Sequence, residues 1–252
     1  MIPGDVQRFL ESYAGQHDDP QLNANLEFYT NKRRCQPNNL TIDELHSDWD
    51  GDYETLEFEH GYIQWLFPIP EFGMNSRSQP LQKHEESAIR ASPDAMKRVV
   101  RSYRLMLDFY GMQLVDERTG RLERTKDYAP RYRNLVRSSH NYLRISRILK
   151  HLSIMGLEHL GLGLVLHFLS EQSEHRALDT EGIHSSMDRW WANCVRNDAD
   201  RAWVGAIIKQ VRAGRKSFSR ADYTSALQRH VDTGSFGPAA PDDDGAGDSD
   251  SD

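Results

Sequence analysis

The chain has 252 residues, enough for one domain with short extensions, and its hydrophobic content of 38% is below the usual share. Its net charge of −7 is carried by residues 231–252, which contain seven aspartates and no Lys or Arg and are predicted to form a disordered acidic tail. Residues 1–230 are therefore neutral overall, which argues against general nucleic-acid binding.

Two further classes are excluded, a membrane-spanning protein and a disulfide-stabilised scaffold. The longest nearly apolar run, residues 160–169, is about half of the ~20 residues that a membrane span needs. Cys35 and Cys194 are too few for a disulfide framework and indicate a reducing compartment. Because no basic segment followed by an apolar run stands at the N-terminus, no secretory signal is predicted.

Helical spacing dominates the first half of the chain. One apolar stripe predicts a single helix that Asp50 or Asp52 caps and Pro68 ends; its members are Tyr53, Leu56, His60, Ile63 and Phe67. Ser92 and Pro93 have the N-cap and first-turn signals of a second helix, which Gly111 ends.

The second half is also predicted to be mostly helical. Residues 112–124 are typical of two short strands around a turn. Pro130 is predicted to open a helix, Ser139 to cap the next and Gly156 to end it, before a helix that runs through residue 169. Three more helices are predicted within residues 186–195, 198–211 and 219–230. The fold class is therefore all-α, a mostly helical single domain with one short β-hairpin near residues 112–124.

Aromatic and aliphatic residues crowd into residues 60–75, around two prolines. Tyr62, Trp65, Phe67 and Phe72 are interpreted first as core residues, because aromatic side chains dominate core burial. The alternative is a binding groove lined by the same rings, which the loop after Pro68 favours.

Charge is segregated between two parts of the neutral body. Residues 43–59 contain eight acids and no Lys or Arg, whereas residues 97–150 contain 14 Lys or Arg and five acids. Five basic side chains after residue 136 recur at helical spacing: Arg137, His140, Arg144, Arg147 and His151. They form either a solvated helix face or a site for a peptide carboxylate, a phosphorylated ligand, RNA or the domain's own acids.

Candidate metal and catalytic motifs all have a simpler explanation. Asp48, Asp50, Asp52 and Glu59 have EF-hand spacing, but Tyr53 stands where the loop needs Gly, and acids also suit a helix N-terminus. Histidines recur every eight residues from position 151 to 175, so each lies ~80° around a helix from the last. "GLGL" lacks the third glycine of a dinucleotide site. No metal, cofactor or catalytic constellation is predicted.

Several long strings are similar to one known family. "GYIQWLFPI", "EFGMN", "LMLDFYG" and "RNLVRSSHNYLRISRILK" resemble the conserved region of the opioid growth factor receptor family, over about residues 25–210. The resemblance is to a short member, because the peptide repeats that follow this region in some vertebrate members are replaced here by the acidic tail. Four segments follow: an N-terminal extension or helix (1–24), the family domain (25–213), a C-terminal helix (214–230) and the tail (231–252).

The resemblance implies a helical intracellular protein that is unrelated to the seven-helix opioid receptors. Vertebrate members are described as receptors for an enkephalin peptide that restrain cell proliferation. The implied location is nuclear, perinuclear or cytoplasmic, with peripheral association with the nuclear membrane. The short basic strings "NKRR" and "RAGRKSFSR" are compatible with nuclear entry or with solvated loops.

An enkephalin-like peptide would need a carboxylate for its ammonium, an aromatic groove for its rings and an Arg for its carboxylate. The ligand-binding candidates are Gln64, Trp65, Phe67, Glu71, Phe72, His84, His140, Asn141, Arg144 and Arg147. They form one site only if the helix with Gln64 and the helix with Asn141 share a hydrophobic interior. One alternative is an adaptor whose Arg-rich helices bind an acidic or phosphorylated partner, in competition with the tail. Another is an enzyme that uses His84, His140 and Arg144.

Overall fold

Helices account for most of the protein in a computed structural model that describes residues 2–239. The α-helices are α1 Gly4–Leu10, α2 Ala24–Tyr29, α3 Ile42–Asp48, α4 Tyr53–Phe58, α5 Tyr62–Leu66, α6 Lys83–Ala91, α7 Pro93–Phe109, α8 Tyr128–Arg137, α9 His140–Ile154, α10 Glu158–His175, α11 Glu181–Arg189, α12 Asp198–Arg212 and α13 Arg220–Thr233. A 3-10 turn covers Trp191–Asn193. Strands β1 Met112–Asp116 and β2 Arg121–Arg124 pair antiparallel, with Leu114 opposite Leu122.

The predicted all-α class with one hairpin near residues 112–124 is confirmed. Of the predicted acidic tail, residues 231–252, the first three residues belong to α13, which extends to Thr233, and residues 240–252 lie outside the described residues. The predicted helix within residues 186–195 is instead the end of α11 followed by the 3-10 turn.

Local capping signals set the limits of α7 as predicted. The Ser92 hydroxyl accepts a hydrogen bond from the Ala95 N–H, and Pro93 occupies the first turn. At the other end Gly111 has a φ of +85°, which a residue with a side chain rarely adopts. A Cβ at this position would lie 2.9 Å from the Arg131 Cβ, so both the conformation and the space require glycine.

The single helix predicted from the Tyr53 stripe is wrong, because the chain forms α4 and α5 with a break at residues 59–61. Asp52 caps α4 by accepting from the Thr55 N–H. The break lies against Arg144, whose guanidinium donates hydrogen bonds to backbone carbonyls that a continuous helix would use for its own hydrogen bonds. They belong to Leu56, Glu57 and Glu59. His60, predicted to lie on the apolar stripe, is exposed in this break.

Two predicted helix starts differ in detail. Helix α8 begins at Tyr128, two residues before Pro130, which stands in the first turn, where a missing N–H costs nothing. Ser139 precedes α9 as predicted, but its side chain makes no capping hydrogen bond.

The core is organised around α9 and α10. Helix α10 is apolar on all sides from Leu160 to Leu169, which is the pattern of a helix surrounded by protein, and it packs against α9, α13 and β2. This is the run considered above as a membrane span. Among residues 2–239, no helix combines the length and apolarity needed to cross a bilayer.

A line of basic side chains on α9 binds backbone carbonyls of the chain between α4 and the residues after α5. Arg144 donates to the Leu56 carbonyl at 2.8 Å and to the Glu59 carbonyl at 2.7 Å. Arg147 Nε donates to the Phe67 carbonyl at 2.8 Å. We call these contacts the carbonyl row. It joins the helix that contains Gln64 to the helix that contains Asn141, so the predicted shared interior exists.

His151 completes the carbonyl row, with its Nδ1 2.7 Å from the Pro68 carbonyl. It is one of three buried histidines that are held neutral. Burial lowers the pKa of His46 to about 3, of His151 to about 4 and of His167 to about 3, and neighbouring arginines add to each shift. Arg220 donates toward the His167 Nδ1 at 3.3 Å, which requires that this nitrogen be unprotonated.

Replacing Arg144 with Met should lower the free energy of unfolding by about 3 kcal/mol or more, because buried carbonyls lose a charged donor. Urea unfolding followed by circular dichroism measures this value. Arg133→Met, an exposed residue of α8, is the matched control and should change stability by less than about 0.5 kcal/mol. Equal losses in the two variants would show that the carbonyl row does not stabilise the fold.

Stability should fall as the solution is acidified below the ordinary histidine pKa of about 6.5. In that range the histidines of the unfolded chain bind protons, whereas the three buried histidines of the folded protein stay neutral. Their contribution to the free energy of unfolding is thus complete above about pH 6.5. It is lost toward pH 4 at about 1.4 kcal/mol per pH unit for each histidine. Urea unfolding at several pH values should show a slope that is about 1.4 kcal/mol per unit shallower in His167→Gln. Parallel curves for the two proteins would contradict this origin.

Candidate functional site

A cleft of about 870 Å³ lies beside the N-terminal segment, and we call it the N-terminal cleft. Residues 8–22 form one wall, residues 70–72 a second and residues 80–87 a third, with Ile154 and Arg196 also lining it. Of the predicted ligand-binding residues, Glu71 and Phe72 line this cleft.

The N-terminal wall is fastened to the start of α6. The His84 Nδ1 lies 2.9 Å from the Asp18 carboxylate, and the hydrogen bond from His84 lowers the pKa of that carboxyl group. The next backbone N–H, of Asp19, donates to the Gln82 side chain at 2.9 Å. His84 therefore holds the wall in place and does not itself line the cleft.

An ion cluster lies at the Glu71 side of the cleft. Lys150 is only 3% exposed, and its Nζ lies 3.0 Å from Glu71 and 2.9 Å from Asp5. Burial acts to raise the pKa of Asp5, but the hydrogen bond and the charge of Lys150 lower it below its usual value. Arg8 lies 3.8 Å from the other Glu71 oxygen. The cluster ties α1, the 70–72 loop and α9 together and fixes the Glu71 carboxylate at the cleft.

Large apolar side chains stand uncovered next to this cluster. Phe72 is 85% exposed and Met74 is 95% exposed. The backbone of their loop packs on the Gln64 side chain. The Gln64 amide fits between the carbonyls of His60 and Gly61 and the backbone N–H of Met74. A Cβ at Gly73 would lie 2.6 Å from this Gln64 side chain, so the loop packs directly on it. Gln64 thus supports the loop and presents Phe72 to solvent.

The core interpretation of the aromatic segment holds for three of its four rings. Tyr62, Trp65 and Phe67 are buried, and the Trp65 indole donates to the Gln36 carbonyl at 3.0 Å. Phe72 was assigned to the core by the same argument, and that assignment is wrong. It follows the last buried residues of the segment, on the outer side of a loop that Pro70 redirects. Trp65 and Phe67 consequently offer no ring surface to a ligand.

The remaining predicted site residues turn away from the cleft. Arg144 and Arg147 are engaged in the carbonyl row, and burial lowers the pKa of Arg147 to about 10. Asn141 donates to the Glu57 carboxylate at 3.2 Å, and the His140 Nε2 lies 3.1 Å from the same group. The basic line of α9 therefore binds the chain's own segment 56–68, but mainly through backbone carbonyls and, among the acids considered from the sequence, only through Glu57.

The three residues proposed for an enzyme do not meet at one partner. His84 contacts Asp18 and Asn23, whereas His140 and Arg144 contact Glu57 or its backbone. The acids with EF-hand spacing have separate structural contacts, since Asp52 caps α4 and Glu59 accepts a hydrogen bond from Asn38. Across residues 2–239, no group of three or more His, Cys, Asp or Glu side chains is placed to hold a metal ion.

Sequence reasoning missed the cleft residues outside the aromatic segment, notably Arg8, Tyr13, Lys83 and Arg196. They come from three distant parts of the chain. Arg196 follows the 3-10 turn, in a stretch of extended backbone that has no periodic pattern. The clearest local signal was Tyr13, an aromatic residue in an otherwise polar segment.

Known proteins resemble this chain over the helical domain. Residues 18–226 match the family described as the opioid growth factor receptor (OGFr) conserved region. The opioid growth factor receptor of Homo sapiens is 45% identical over 172 residues, which is 68% of this chain and 25% of that protein. The opioid growth factor receptor of Mus musculus is 44% identical over 169 residues, 66% of this chain and 27% of the relative.

A related protein has a different name. Opioid growth factor receptor-like protein 1 of Xenopus tropicalis is 39% identical over 170 residues, 66% of this chain and 33% of the relative. No solved structure matches the chain. The similarity thus spans a third or less of these relatives' own length. The matched region includes the predicted one, residues 25–210, and extends beyond it at both ends, and the chain belongs to the opioid growth factor receptor family.

Proposed function

We propose that the protein is a peptide-binding regulatory module of the receptor type and that its ligand binds in the N-terminal cleft. The observation that carries the proposal is Phe72, a large ring 85% exposed at the edge of a cleft that also contains charges of both signs. Aromatic side chains that are exposed in the free protein and become buried on binding are common anchors of interfaces.

The cleft offers the three kinds of contact that an enkephalin-like peptide requires. Glu71 and Glu86 supply carboxylates near a peptide ammonium. Phe72 and Leu22 supply apolar surface for the Tyr and Phe rings. Cationic side chains on the remaining walls face a peptide carboxylate. Charged groups across such an interface fix the orientation of the ligand more than they raise its affinity.

The family relationship supports a peptide ligand, because two of the relatives carry the name of receptors for an opioid growth factor. The walls at residues 70–72 and 80–87 lie inside the matched region, whereas residues 8–17 precede it. The family domain therefore supplies Glu71 and Phe72, and a segment outside the match supplies the opposite wall.

Calorimetric titration of the full chain with the enkephalin pentapeptide Tyr-Gly-Gly-Phe-Met should detect binding. Phe72→Ser should weaken it about tenfold or more, because burial of an aromatic side chain contributes on the order of 1.5–3 kcal/mol. The matched control is Phe58→Ser, a ring 72% exposed on α4 that does not line the cleft, and it should bind like the unaltered protein.

Two outcomes would count against the proposal. Absence of heat with the unaltered protein at millimolar peptide would exclude this ligand class. Equal loss of affinity in the Phe72 and Phe58 variants would place the peptide elsewhere on the surface.

A further inference from the structure

We propose that Arg196 is the anion-binding group of the N-terminal cleft and that the peptide is held by its free C-terminal carboxylate against this guanidinium. The inference rests on the proposed function and deepens it, since it fixes the polarity of the ligand. Arg196 lies at the junction between the 3-10 turn and α12.

The backbone around Arg196 is held firmly while its side chain is left without polar partners. Its N–H donates to the Glu158 carboxylate at 2.8 Å, and its carbonyl accepts from Arg201. Its guanidinium carbon stacks over the Phe9 ring at 4.8 Å from the centroid. Yet within residues 2–239 the guanidinium makes no side-chain hydrogen bond or ion pair, and its Nε is buried without an acceptor.

Tyr13 provides a second donor on the same cleft. Its hydroxyl is buried and has no hydrogen-bond partner among the described residues. Burial and the nearby Glu71 carboxylate raise its pKa, whereas the charge of Arg196 opposes that rise, so the hydroxyl stays protonated. Arg196 and Tyr13 both line this cavity, and the two oxygens of a carboxylate can accept hydrogen bonds from both donors, one of which is cationic.

The other cations at the cleft are either bound by carboxylates or, like Arg8 and Lys83, exposed to water. Lys150 is already bound by Asp5 and Glu71. Arg8 is 60% exposed and lies near Glu71, so water solvates its guanidinium and that carboxylate balances its charge. Arg196 is partly buried and planar, with an aromatic ring against one face, which pre-orients its N–H groups for bidentate binding. An incoming anion therefore gains most at Arg196.

The test compares Tyr-Gly-Gly-Phe-Met with the same peptide ending in a carboxamide, by calorimetry on the full chain. The amide should bind the unaltered protein at least about tenfold more weakly, the effect of losing one charge-assisted hydrogen bond. Arg196→Gln should weaken the acid similarly and leave the amide unchanged. Arg189→Gln, which removes an exposed arginine stacked on Trp190 outside the cleft, should bind both peptides normally.

Each result assigns the failure to one proposal. Equal affinity of acid and amide for the unaltered protein would overturn the role of Arg196 while leaving peptide binding intact. If neither peptide binds, the proposed function fails and this inference fails with it. The acid–amide comparison needs no variant, so equal affinities would overturn the inference even if Arg196→Gln does not fold.

Discussion

The carbonyl row is the interaction on which the rest of the structure depends. A helix normally ends with carbonyls that no backbone N–H can reach, and burying them without donors is costly. Arg144, Arg147 and His151 on α9 supply those donors to the segment from α4 to Pro68. The same contacts break the chain between α4 and α5, bury Trp65 and Phe67, and set the point from which the loop carrying Glu71 and Phe72 departs.

Features that depend on neighbouring residues were predictable from the sequence, and features that depend on distant ones were not. Ser92, Pro93 and Gly111 delimit α7 by local geometry, so its limits followed from the sequence. The break after α4 depends on Arg144, which is 85 positions beyond Glu59 and invisible to any periodicity. The basic spacing of α9 was correctly recognised, but spacing alone does not distinguish a face that binds a partner from one that binds the chain's own backbone.

The residues of the candidate site differ in the same way, since some were predictable from their sequence neighbours and others were not. Glu71 and Phe72 were found because they lie in an unusual aromatic segment, and an exposed ring there is conspicuous. Arg196 and Tyr13 have no distinctive sequence context, and they meet only because α1 and the end of the 3-10 turn pack side by side, with Phe9 against Arg196. Their significance comes from unused hydrogen-bonding capacity, a property of the folded arrangement.

The fastening of the N-terminal wall has a consequence for how selectivity can change. Residues 8–17 lie before the family region; Phe9 and Tyr13 hold them in the core, and Asp5 with Lys150 and Asp18 with His84 fasten the chain on either side. Substitutions at the exposed positions of this stretch, such as Arg8, Ser12 and Gln16, can reshape one side of the cavity without disturbing the interior formed by α9 and α10. Two proteins with identical helical bodies could thus differ in the ligands that they accept.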